Sequence, residues 1–103
     1  DIVIILSNSG ETDILKEVLK CTGKSGIKTL AITGNKASSI AQASEASIEV
    51  KTQECGPFGL VPTTSTTAMM AVGDALACVL VEIKGLTVED FYRNHPEGTL
   101  SKL

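Results

Sequence analysis

The sequence predicts an α/β fold in which a parallel sheet is flanked by helices. Two observations carry this. Apolar strand-like runs and amphipathic helical runs alternate from Asp1 to Val50. In units this short, that alternation means parallel strands joined by right-handed crossovers. The opening run, DIVIIL, is also apolar on both faces, the pattern of a strand covered by helices on both sides of a parallel sheet.

Residues 1–7 are the first strand. Residues 12–22 place Ile14, Leu15, Val18 and Leu19 on one helical stripe, with Lys16, Glu17 and Lys20 opposite. Gly23, Ser25 and Gly26 end that helix. KTLAIT, Lys28 to Thr33, is the second strand. GNKASS is a turn whose Ser38 or Ser39 caps a short helix through Ala43. ASIEV, Ala46 to Val50, is a shorter, alternating third strand near a sheet edge. QECGPFGLVPTTST follows as a long shaped loop, a class that in small domains is usually functional. A helix from Ser65 to Lys84 is apolar around much of its circumference, which predicts burial against the sheet or another subunit. Gly85 stops it. Thr87 with Asp90 forms a near capping box for a last short helix, ended by His95-Pro96. With no internal repeat and no linker, residues 1–103 read as one domain.

Composition narrows the function. Charged residues make up 20% and apolar residues 43%, globular values. A net charge of −3 and 3% aromatics disfavour a nucleic-acid binder, which needs basic surface and stacking platforms. No apolar run approaches the roughly 20 residues that span a bilayer, so no membrane partner is expected. Three widely spaced cysteines, Cys21, Cys55 and Cys78, suit reduced thiols in a cytoplasmic protein.

The unusual stretch is IILSNSGET, Ile4 to Thr12. An apolar strand ends in two serines, an asparagine and a threonine around Gly10. A loop at the carboxyl end of a parallel strand is where α/β sheets bind ligands. The following helix offers unpaired N–H groups and partial positive charge, and Gly10 permits a tight turn. Ser7, Ser9 and Thr12 can donate to an anion without adding charge. The residues thus suit a phosphate cradle; they also suit an ordinary βα turn with Thr12 as N-cap. The GxxxxGK[ST] loop and the multiple glycines of a dinucleotide loop are absent.

TTSTT, Thr63 to Thr67, opens the long helix, where its hydroxyls serve either capping or sugar hydroxyls. Glu54 reads alone as a solvated loop carboxylate, and His95, the single histidine, as structural. The cysteines lack metal-site spacing with His95 or with each other.

SNSGET resembles the phosphosugar-binding signature of the SIS (sugar isomerase) domain family. ECGPFGLVPTTSTTAMMAVGDALA and GLTVEDFYRNHPEG look like the family's arabinose-5-phosphate isomerase branch. The resemblance implies a three-layer SIS sandwich with a five-stranded parallel sheet between helices. It implies interconversion of D-ribulose 5-phosphate and D-arabinose 5-phosphate, toward the octulosonate sugar of lipopolysaccharide. It places phosphate binding on Ser7, Asn8, Ser9 and Thr12, and catalysis on Glu54 and His95. Ser65 and Thr66 are weaker candidates for substrate contact. A sugar phosphate is the expected partner, in a homo-oligomer (dimer or tetramer) with neither metal nor organic cofactor.

The sequence departs from the family pattern in three places. The family's opening strand, Gly-x-Gly-Lys-Ser turn and helix would lie upstream of Asp1, with the associated lysine; CBS domains would follow Leu103. Ile14 stands where the family often has glutamate, so Asp13 or Glu11 would take that acidic role. Glu97 interrupts the usual His-Pro-Gly-Gly. The missing lysine segment and Ile14 favour a second reading, a phosphosugar-sensing SIS domain without catalysis. The presence of Glu54 and His95 favours the enzyme.

Overall fold

A three-stranded parallel sheet in the order β1-β2-β3 organises the computed structural model, which describes residues 1–96. The strands are β1 (Ile2–Ser7), β2 (Lys28–Thr33) and β3 (Ala46–Glu49). β1 and β2 pair from Ile2↔Lys28 to Ser7↔Thr33, and β3 joins β2 from Leu30↔Ala46 to Thr33↔Glu49. Ser7, Thr33 and Glu49 therefore end side by side, and the loops after β1 and β2 leave from the same edge. The α/β prediction holds, and β3 lies at an edge as expected. The described residues carry three strands rather than the five implied by the family resemblance.

Two helices follow the first two strands: α1 (Asp13–Lys24) and α2 (Ser39–Ala43). Leu19 of α1 and Ile40 of α2 join Ile5 and Ala31 in one buried cluster, with Val3 and Leu15 packed against it. Ile5 and Ala31 are paired residues, so this is a single face of the sheet. α1 runs past Gly23 and closes on Gly26 (φ 65°), where Ile27 N–H donates to Thr22 O at 2.9 Å and Gly26 N–H to Gly23 O at 3.2 Å. That is a Schellman closure, which a glycine in the left-handed region permits. α2 is capped by Ser38, as predicted; its hydroxyl accepts from Ala41 N–H.

Two apolar faces expected to be covered stand open within this single chain. β1 is an edge strand, and its Ile2, Ile4 and Leu6 are about half exposed on the face opposite the cluster. Helix α3 (Thr64–Lys84) is also largely exposed: only Ser65 and Met69 are buried, while Met70 and Ile83 are 70% and 75% exposed. An apolar surface states a preference for burial; the neighbour that meets it is a tertiary matter. One correction concerns length. By length and composition alone, α3 is long and apolar enough to cross a membrane.

The chain divides into two compact units, Asp1–Ala71 and the part from Val72 onward. In the second, α3 ends in another Schellman closure at Gly85 (φ 60°), and α4 (Val88–Asn94) begins with a full Thr87–Asp90 capping box. Glu97, one of the departures noted above, lies outside the described residues.

Candidate functional site

The loop after β1 is built from its own hydroxyls. Gly10 N–H donates to both the carbonyl and the hydroxyl of Ser7, each at 3.1 Å, closing a tight turn. Ser7 Oγ, buried at the strand end, lies 2.8 Å from Thr12 Oγ1. Ser9 Oγ accepts from Glu11 N–H at 3.2 Å. Thr12 occupies the N-cap position of α1, yet its side chain makes no cap hydrogen bond. The hydroxyl that could satisfy the helix end is turned onto Ser7, so Thr12 gives the first amides of α1 no side-chain cap. Asn8, Ser9 and Thr12 are exposed. Ser7, Asn8, Ser9 and Thr12 thus form one turn at the carboxyl end of β1.

This turn is locked to the loop after β2. Asn8 O accepts from Gly34 N–H at 3.0 Å, and Gly10 O from Ile40 N–H at 3.0 Å. Gly10 has φ 69°, and a methyl group there would lie 1.9 Å from Ser38 Oγ. Gly34, Ser38 and Ser39 therefore back the turn from the loop after β2. Sequence reasoning missed that role, because their only local signal was a capped turn.

Acidic side chains flank the turn and are already engaged. Glu11 Oε1 accepts from Ser39 N–H at 2.7 Å, and Glu11 Oε2 lies 3.6 Å from Lys16 Nζ. The Ser39 backbone amide, then its hydroxyl, hold the Glu11 carboxyl below the ordinary glutamate range, and Lys16 adds to this. Asp13 pairs with Lys16 at 2.8 Å, which lowers its pKa. Ile14, at the position where the family pattern often has glutamate, is 69% exposed.

Glu54 is more than a solvated loop carboxylate. Its carboxylate accepts from the backbone N–H groups of Thr63 and Ser65, the latter at 3.0 Å, and from Thr63 Oγ1 at 3.1 Å. It thereby closes the base of the loop and satisfies amides at the start of α3. The Ser65 hydroxyl first, then the Thr63 and Ser65 amides, push its pKa down, against a partial opposing effect of burial. It is ionised at neutral pH. Ser65 is buried, while Thr66 Oγ1 donates back to Thr63 O at 2.8 Å. Part of the TTSTT cluster is thus spent on the helix end, as capping predicts.

His95 stands in the second unit at the C-cap of α4. Its ring stacks on Phe91, with centroids 4.3 Å apart and planes at 23°, and its Nδ1 lies 2.9 Å from Phe91 O. A carbonyl only accepts, so Nδ1 carries the proton and Nε2 is left as the acceptor of the neutral ring. All three cysteines are free and exposed.

Comparison with known proteins extends this geometry. The SIS domain family model matches residues 1–79. The arabinose 5-phosphate isomerase KdsD of Pseudomonas aeruginosa is 42% identical over 103 residues, 99% of this chain and 32% of that protein. KdsD of Escherichia coli K12 is 41% identical, over 99% of this chain and 31% of its own length. The chain therefore spans about a third of the length of these relatives. Among solved structures, Escherichia coli CFT073 c3406 in complex with arabinose 5-phosphate superposes with a TM-score of 0.85 at 38% identity, covering 93% of this chain and 52% of that one.

Proposed function

Since the chain belongs to the SIS domain family, we propose that it supplies the phosphate-holding loop and the acid–base groups of an arabinose-5-phosphate isomerase. The single observation that carries this is the Ser7–Thr12 turn. Its threonine sits at a helix N-cap but bonds to Ser7, so hydroxyls and helix amides stand together at a strand's carboxyl end. A phosphate dianion is the ligand that such a donor set suits. The relatives' names supply the sugar, arabinose 5-phosphate.

Ser7, Asn8, Ser9 and Thr12 hold the phosphate, and Ser65 and Thr66 meet sugar hydroxyls. Interconverting the aldose and the ketose takes a proton from carbon 2 and delivers one to carbon 1, through an enediol. A second proton passes between the two oxygens. Glu54 is the group for the carbon-bound proton; it is ionised at neutral pH, while its bonds to Thr63 and Ser65 make it a weaker base than a free carboxylate. His95, with Nε2 free to accept, is the group for the oxygens or for ring opening. Binding energy from the phosphate positions the reacting carbons, and the chemistry requires neither metal nor organic cofactor.

Residues 1–103 are read as one SIS domain, acting in a cytoplasmic homo-oligomer. The exposed apolar residues of α3 support the oligomer. The test is isotope exchange. The intact protein, incubated with arabinose 5-phosphate in deuterated water, should place deuterium at carbon 2. Binding without exchange assigns the phosphosugar-sensing role instead.

A further inference from the structure

We propose that Glu11 is the positioning residue of the phosphate loop, holding it to the first turn of α2 through the Ser39 amide. The proposal rests on the phosphate-loop reading above and adds to it a residue whose work is mechanical. Three contacts join the turn to the start of α2. Glu11 Oε1 accepts from Ser39 N–H at 2.7 Å, Gly10 O accepts from Ile40 N–H at 3.0 Å, and Gly10 packs directly on Ser38. Only the first uses a side chain of the turn. Ser9 Oγ accepts from the Glu11 amide, so Glu11 is joined to a proposed phosphate ligand on one side and to α2 on the other.

A carboxylate beside an anion cradle needs a reason, because like charges repel. Here Glu11 is turned onto the Ser39 amide and faces Lys16, the charged group that meets it from α1; Lys16 also faces Asp13. A Glu11 acting as acid or base would need its charge. A Glu11 acting as a clamp needs only an acceptor oxygen, which glutamine also has.

The site allows a clean removal of the partner. Ser39 is the first residue of α2, and Ser38 before it has φ −68° and ψ 158°. Proline is tolerated at a first helical position, and the residue before proline prefers that extended conformation. Ser39→Pro therefore deletes the amide donor and leaves α2 able to form. Ser39→Ala keeps the amide donor and removes only the hydroxyl, the lesser of the two Ser39 groups that act on Glu11, so it separates the amide's part from the hydroxyl's.

The experiment measures arabinose 5-phosphate binding and kinetics in the intact protein. Glu11→Ala and Ser39→Pro should each weaken binding about tenfold, the scale of one ordinary intramolecular hydrogen bond. KM should rise accordingly, with kcat within about threefold. The double variant should also lose about tenfold, since both changes remove one contact. Glu11→Gln and Ser39→Ala should bind within about twofold of wild type. A Glu11→Gln as weak as Glu11→Ala, a silent Ser39→Pro, or a hundredfold loss in the double variant overturns the clamp. If Ser39→Pro does not fold, exchange of the Ser39 amide decides. It should quicken about tenfold in Glu11→Ala and stay near wild type in Glu11→Gln; an unchanged rate in Glu11→Ala overturns the proposal. Wild-type protein that fails to bind arabinose 5-phosphate removes the phosphate-loop reading itself, a separate outcome.

Discussion

Replacing Gly10 by alanine should cost the fold more than any other single methyl group in the loop. The residue has φ 69°, where an L side chain is strained by about 1–2 kcal/mol. The added methyl would stand 1.9 Å from Ser38 Oγ, 2.3 Å from Ser38 Cβ and 2.9 Å from Thr33 Oγ1. Thr33 is fully buried and Ser38 is 2% exposed, so neither has free space to move into. Such overpacking costs about 1–3 kcal/mol. The two effects together predict a loss of about 2–5 kcal/mol, a large share of a typical folding stability of about 5–15 kcal/mol. Gly23 is the internal control. It lies within α1, and a methyl added there would meet nothing within 4 Å, so Gly23→Ala should gain about 0.5–1 kcal/mol from helix propensity. Urea unfolding of the intact protein, followed by circular dichroism, gives both values. A Gly10→Ala within about 0.5 kcal/mol of wild type would refute the loop geometry, as would equal losses at both positions.

Ser9→Asp places a carboxylate against the phosphate position and should abolish detectable binding of arabinose 5-phosphate in calorimetry; unchanged affinity rules out the cradle. Glu54→Gln keeps the size and removes the base, so turnover should fall by about two to four orders of magnitude with affinity within a few-fold; near-normal turnover leaves Glu54 only its role at the start of α3. The same variant tests acid stability. The folded pKa of Glu54 is lowered, so its contribution is present above the ordinary glutamate value and fades as pH falls through the folded value. Acid titration of Glu54→Gln should therefore show a shallower loss of stability below that range than wild type. Finally, mixing inactive Ser9→Asp and His95→Ala subunits tests whether His95 serves a neighbour's site. Random pairing makes half the dimers mixed, each with one intact site, so about a quarter of sites should regain activity if the site is shared. Reassembly proven by mass with no activity places His95 in its own subunit's site.

The features legible in the residues alone are local. Ser38 as the cap of α2, the Thr87–Asp90 box of α4, and Gly85 at the end of α3 were legible because each signal lies within a few residues of the group it satisfies. The order of strands and helices was legible because periodicity is also local. The Ser7–Thr12 motif identified the loop, but either of two arrangements of Thr12 fitted the residues, and only the folded chain turns its hydroxyl onto Ser7. The clamp between Glu11 and Ser39 joins residues 28 apart, and the Glu54 tie joins residues up to 11 apart across a loop. No periodicity announces such bonds, because they exist only once the sheet has set the loops side by side. The same reason explains why the apolar faces of β1 and α3 stand open within this single chain. An apolar stripe on β1 or α3 records that burial is favourable, while the area actually covered depends on what packs there.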